Sequence, residues 1–300
     1  MMAPAGMVWR SLLRGMARNV FPRANTELVC VVKPLYVFFD ESGIQEGSQS
    51  CVVAGYMGSV RQCLLFDEGW RRELGKFDLP EFHAKRFFSR HARPFCDWPP
   101  TQRLELLQGL LNVINLHRVT PIGAVIDVLE FQRRTLAERR FFTGGLIARG
   151  RKRWLTTGAP SRPYFLAFQS CIAQALHCAK TGKVVHFVFD QQDTFAPLAL
   201  QVFNEARVLL TADDSKKMGG CVFLSRKEAP PLQAADLLAH CWYAYGKSGE
   251  SLSREREYAL IKMKGHVHGL RLYDSRAFEI MLNTMHPEDR AALGEAKLNK

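Results

Sequence analysis

The sequence predicts an α/β fold, on three observations. Leu35 to Gly43 reads LYVFFDESG, an apolar run that ends in two adjacent carboxylates and a Ser-Gly turn. Four of the five residues before Asp40 are β-branched or aromatic, as in a buried strand. Val184 to Asp190, VVHFVFD, repeats the theme, and the last third alternates strand, helix, strand and helix.

The 300 residues suffice for one large domain or two small ones, and a hydrophobic content of 47% suits a globular core. No run of eighteen apolar residues is present, so no transmembrane helix is expected. Lys and Arg outnumber Asp and Glu by 41 to 29, a formal charge of +12. That excess favours a polyanionic partner, nucleic acid first and an anionic membrane surface second. A merely soluble basic protein is the bland alternative. The eight cysteines form no CxxC pair, and several sit in apolar runs. They read as buried reduced thiols of a cytoplasmic protein, not as a disulfide framework or a structural zinc site.

Residues 1–26 carry Arg10, Arg14, Arg18 and Arg23 and no acid. They are expected outside the fold, as a transit segment, an extension from a misplaced start codon or a basic arm. Strand one spans about 35–40, and the polar Gly/Ser-rich stretch to Ser50 connects it to strand two, SCVVAGY. Residues 60–76 read as a helix, followed by PEFHAKRFF and a region punctuated by Pro94, Pro99 and Pro100. Thr101 is a plausible N-cap for a helix carrying Leu104, Leu107, Leu111 and Ile114. Val119 to Val128 is a third strand, and Pro121 marks it as an edge.

Residues 131–163 hold nine Lys or Arg and one acid, Glu138, interleaved with aromatics and glycines. Arg149, Arg151, Lys152 and Arg153 are the candidate nucleic-acid contacts of this segment, and a solvated face is its alternative. A helix follows over about 163–180, then a strand over 184–190 and a helix over 197–210. Strand 221–224 precedes a helix opened by Pro230-Pro231, and the charged residues beyond Lys247 read as a peripheral helical tail.

The candidate catalytic residues are Asp40, Glu41, Asp190 and Asp236. Neighbours in a strand point to opposite faces, so Asp40 and Glu41 share a site only if the strand ends between them. Asp40 could instead satisfy a turn, and Asp190 could cap the following helix. Asp236 lies among Ala234, Ala235, Leu237 and Leu238, where a charge is costly unless paired with a metal or with an Arg. Asp40, Asp190 and Asp236 as a hard oxygen set would suit Mg²⁺ or Mn²⁺. His83 reads more readily as a packing or hydrogen-bonding residue than as a base, and His266 and His268 lack a third metal partner nearby. No P-loop, GxSxG or HExxH motif occurs.

FFDESG, EFHA, a strand ending in Asp, and LQAADLLAH, in that order, resemble the bacterial domain-of-unknown-function 3800 family over residues 35–245. The resemblance implies a ribonuclease-H-like mixed β-sheet flanked by helices, placed here over 35–247; the chain's own pattern adds an inserted helical segment at 131–163 and the peripheral helical tail at 248–300. It implies a divalent-metal nuclease site carried by Asp40, Asp190 and Asp236, with Glu41 beside them. His83 matches the EFHA stretch. The chain departs from the family before the last motif, reading SRKEAPPLQ where an acidic residue followed by Ser and Lys is typical. The expected function is metal-dependent hydrolysis of nucleic-acid phosphodiesters. The alternative is a non-catalytic nucleic-acid- or protein-binding module with a degenerate site.

Overall fold

Strand β1 (Leu35–Ser42) lies inside a six-stranded mixed sheet, and its alternation decides which face each of its two acids takes. Tyr36 and Phe38 pack on one face, Val37 and Phe39 on the other. The computed structural model describes residues 34–89, 91–149, 152–155, 161–191, 195–246, 253–263 and 269–298. The basic segment 1–26, Arg151, His266 and His268 lie outside them.

The chain turns after β1 at Gly43, whose φ is +76°. A Cβ there would meet the Ser50 carbonyl oxygen at 2.1 Å and the Tyr243 ring at 2.5 Å, so the turn needs glycine. Strand β2 (Ser50–Ser59) returns antiparallel and runs directly into helix α1 (Val60–Gly75). Ser59 and Gln62 close a capping box that satisfies the first amides of this helix. The short helix α2 (Ala84–Phe87) and helix α3 (Pro100–Leu116) lead to β3 (Thr120–Asp127), antiparallel to β2. Helices α4 (Val128–Arg133) and α5 (Leu136–Phe142) precede a separate hairpin of β4 (Leu146–Arg149) and β5 (Lys152–Leu155).

Helix α6 (Pro163–Cys178) crosses back, and β6 (Val185–Asp190) adds parallel to β1 on its free side. Helices α7 (Ala196–Leu209) and α8 (Ala212–Lys217) connect to β7 (Met218–Leu224), parallel to β6. Helix α9 (Pro230–Gly246) and helix α10 (Arg254–Lys262) follow. Strand β8 (Leu270–Tyr273) pairs parallel with β3, and helices α11 (Ser275–Asn283) and α12 (Pro287–Leu298) end the described chain. The sheet order is β7-β6-β1-β2-β3-β8.

One sheet face packs Val37, Phe39, Phe187 and Phe189 against Phe168 and Ile172 of α6 and Val202 of α7. On the other, Val52, Ala54 and Tyr56 meet Trp70 of α1, Leu110 of α3 and Leu237 of α9. Burying each large apolar side chain contributes roughly 2 kcal/mol before chain entropy is set against it. No helix among the described residues is long and apolar enough to cross a membrane.

Several expectations are corrected. Helix α3 starts at Pro100 without a side-chain cap, not at a Thr101 cap. Proline is favoured in a first turn, where the amides have no intrahelical acceptor. Strand β3 is internal, not an edge. Its ladder to β8 runs over Gly123–Ile126 only, so the missing amide of Pro121 falls beyond it. The segment 131–163 is not purely helical, because it contains the β4–β5 hairpin. The tail after 247 is not peripheral. It supplies β8, and Ala259, Met263 and Phe278 are buried in the two cores.

Candidate active site

Strands β1 and β6 run parallel with Phe39 beside Phe189, so the next residues, Asp40 and Asp190, stand side by side on the same face. Helix α9 packs across β1 and β2 on that face and brings Asp236 to them. All three carboxylates are buried, Asp40 to 1% residual exposure. The structure brings Asp40, Asp190 and Asp236 together around Arg226.

Backbone amides orient each of them. Asp40 Oδ1 accepts from the Glu41 amide at 2.8 Å, and Asp190 Oδ1 from the Arg226 amide at 3.1 Å. Asp236 Oδ2 accepts from the Ala84 amide at 2.7 Å. The second oxygens of Asp40 and Asp190 turn to one point, and the guanidinium of Arg226 fills it. Its Nη2 ion-pairs with Asp190 and stands 3.6 Å from Asp40 Oδ2, while Nη1 lies 3.4 Å from Asp236 Oδ2. Asp40 Oδ2 is buried with no hydrogen-bond partner among the described residues.

His83 sits at the N-cap position of α2 without a side-chain capping bond, and its Nδ1 lies 3.1 Å from Asp236 Oδ2. Arg226 Nη1 is 3.4 Å from the same ring nitrogen. A proton on Nδ1 removes a lone-pair clash with the carboxylate, so this tautomer donates to Asp236. Gln233, one turn before Asp236, ties the surroundings together. Its Oε1 accepts from Trp70 Nε1 at 2.9 Å and the Phe82 amide at 2.8 Å, and its Nε2 donates to the Arg226 carbonyl at 2.9 Å.

Burial and the negative charges of Glu41 and Asp236 push the Asp40 carboxyl well above its usual range, against the pull of Arg226. Burial also raises Asp190, again with Arg226 opposing. For Asp236 burial works upward too, but the His83 hydrogen bond and the Arg226 charge outweigh it and hold the group below its ordinary value. Burial alone would lower Arg226; Asp40, Asp236 and Asp190 overcome that and raise it.

Strand β1 does not end between Asp40 and Glu41. It continues to Ser42, so Glu41 pairs with Val53 and takes the opposite face, that of Phe39. Its charge is felt there by Cys51 and Tyr164. Burial, then Asp190, raises the Glu41 carboxyl to about 8. Arg149, Lys152 and Arg153 lie on the β4–β5 hairpin, apart from the main sheet. The cleft that reaches Asp190 and Arg226, about 420 Å³, is instead lined also by Glu81, His83, Arg86 and Lys227.

Among the described residues no group of three or more His, Cys, Asp or Glu side chains is placed to hold a metal ion. The Arg226 guanidinium stands between the acids. The donor chemistry nevertheless fits a hard divalent cation. Carboxylate oxygens make up the set, one of them is orphaned, and a single guanidinium opposes four acids. Sequence reasoning reached the three acids but neither the role of Arg226 nor that of Gln233. The signal for Arg226 was the departure at SRKEAPPLQ.

No protein family, curated protein or solved structure matches the chain. The resemblance to the domain-of-unknown-function 3800 family rests on the four short motifs alone.

Proposed function

We propose that this chain is a divalent-metal-dependent nuclease acting on nucleic-acid phosphodiesters, built on a ribonuclease-H-like sheet. One observation carries the proposal. Asp40 and Asp190 each give one oxygen to a backbone amide and turn the other to a common cation position that Asp236 also faces. The three antiparallel strands β1, β2 and β3 followed by parallel β6 and β7 support the fold reading.

Asp40, Asp190 and Asp236 would hold Mg²⁺ or Mn²⁺. Such an ion supplies Lewis acidity at the phosphoryl group and acidifies water at neutral pH. The chain's own part is positioning. His83 and the Ala84 amide fix Asp236 and keep it ionised. Arg86 and Lys227 on the cleft wall would meet the phosphodiester backbone. The basic hairpin and the charge of +12 support a polyanionic substrate. The free thiols among the described cysteines support a reducing, cytoplasmic setting.

A second reading is favoured by Arg226 itself. A guanidinium satisfied by three carboxylates is a stable counter-ion, and the fold would then serve as a nucleic-acid- or protein-binding module without chemistry. Cleavage assays on single- and double-stranded DNA and RNA decide between the two. Cleavage should require Mg²⁺ or Mn²⁺ and vanish in Asp190→Asn. Cleavage that persists in excess chelator would exclude the metal mechanism, and binding without cleavage under every metal condition would establish the module.

A further inference from the structure

We propose that Arg226 is a resident competitor of the metal: its guanidinium occupies the cation position and has to swing out before a divalent ion binds. The inference rests on the metal-site reading above and adds a control built into the same site.

The geometry separates what is fixed from what can move. The Arg226 backbone is held on both sides, its amide by Asp190 Oδ1 at 3.1 Å and its carbonyl by Gln233 Nε2 at 2.9 Å. Gln233 is itself clamped by Trp70 and the Phe82 amide. The loop therefore stays in place, and only the side chain has to rotate. That side chain is 23% exposed and lines the open cleft, so its outward side faces solvent-accessible space. In the cleft it would join Arg86 and Lys227, where phosphate oxygens could receive it.

Two cations cannot share the position. A guanidinium within 3.6 Å of Asp40 and 3.4 Å of Asp236 occupies the space between the carboxylates that would hold the ion. The apparent affinity for metal is then reduced by the fraction of molecules with Arg226 withdrawn, and a withdrawn population of about one in ten weakens it about tenfold. A ligand that holds Arg226 in the cleft would remove that handicap. Metal and polyanion would each tighten the other's binding by the same factor.

The test is titration of the full chain with Mn²⁺ alone, read by the electron paramagnetic resonance signal of the free ion. Arg226→Met removes the charge and keeps the aliphatic stem, and Arg226→Lys keeps a cation. Arg226→Met should bind Mn²⁺ about tenfold or more tightly than wild type, and Arg226→Lys should stay near wild type. Equal affinities in wild type and Arg226→Met would overturn the competitor while leaving the metal site standing. Absence of Mn²⁺ binding in both folded proteins would remove the metal site and the competitor together. A wild-type measurement covers a variant that does not fold. The Arg226 Nε–H resonance should shift and lose exchange protection on titration with Mg²⁺, and an unchanged resonance at saturating metal would refute the displacement.

Discussion

Arg226 Nη2 stands 3.6 Å from Oδ2 of Asp40, a buried oxygen that receives no hydrogen bond among the described residues. The guanidinium spends its closest contact on Asp190 and leaves Asp40 with attraction across a gap. Desolvation therefore outweighs attraction at Asp40, and its carboxyl is raised, while Asp236 is held low by donors that reach it directly. One guanidinium faces four acids, so ionising all four in the folded state is disfavoured, and that makes the cluster's stability sensitive to pH and to single substitutions.

The first prediction concerns pH. Glu41 is raised from 4.5 to about 8, so across that window the folded protein holds a proton that the unfolded chain releases. Stability from this group is complete below the lower value and is lost as pH rises through the upper one. Asp40 and Asp190 are raised and act with the same sign. Asp236 is lowered from 3.8 and acts with the opposite sign, in a window below that value. Urea midpoints in chelator should fall between about pH 5 and pH 8, less steeply in Glu41→Gln than in wild type. Parallel slopes for the two proteins would show that Glu41 does not titrate in this range.

Much of the site was legible because its signals are local. Acidic residues at or near the ends of two apolar strands set Asp40 and Asp190 side by side once the strands pair in parallel. An Asp in an apolar helix announces Asp236. The rest depends on contacts between distant segments. Gln233 looks like an ordinary polar residue until Trp70 and Phe82 arrive from far along the chain. Arg226 reads as part of a polar loop, and only packing places it among the acids. Strand β8 was invisible because four residues with mostly half-buried or exposed side chains carry no strong alternation. The face taken by Glu41 turned on two residues of strand length, the least certain quantity in any sequence reading.

The second prediction concerns the clamp. Gln233 is 1% exposed and satisfies three partners, Trp70 Nε1, the Phe82 amide and the Arg226 carbonyl. Leucine matches its size and satisfies none of them. Each buried donor or acceptor left unmade costs about 1–3 kcal/mol, with water and relaxation recovering part. Gln233→Leu should lose about 3 kcal/mol in urea unfolding. A loss below about 1 kcal/mol would mean that the loop carrying Arg226 is not anchored through this side chain.

The last prediction sets two acids of the same cluster against each other. Asp40 and Asp236 are both buried, so a reading by burial alone expects the same result from removing either charge. Their surroundings differ. Asp40 has one amide donor, an orphaned oxygen and acidic neighbours, and its folded state disfavours the charge. Asp40→Asn keeps an acceptor for the Glu41 amide and removes repulsion from Glu41, Asp236 and Asp190. Arg226 keeps Asp190 and Asp236 as partners. Without metal this variant should melt at or above the wild-type temperature. Asp236 receives the Ala84 amide, His83 and Arg226, and its folded state favours the charge. Charge-assisted hydrogen bonds contribute about 1.5–3 kcal/mol each, so Asp236→Asn should lose about 2 kcal/mol or more. Thermal unfolding of the three proteins in excess chelator measures the ranking. If Asp40→Asn proves the less stable variant, the Arg226–Asp40 attraction outweighs the repulsion among the acids, and the cluster is a closed ion-pair network in place of a site with charge to spare.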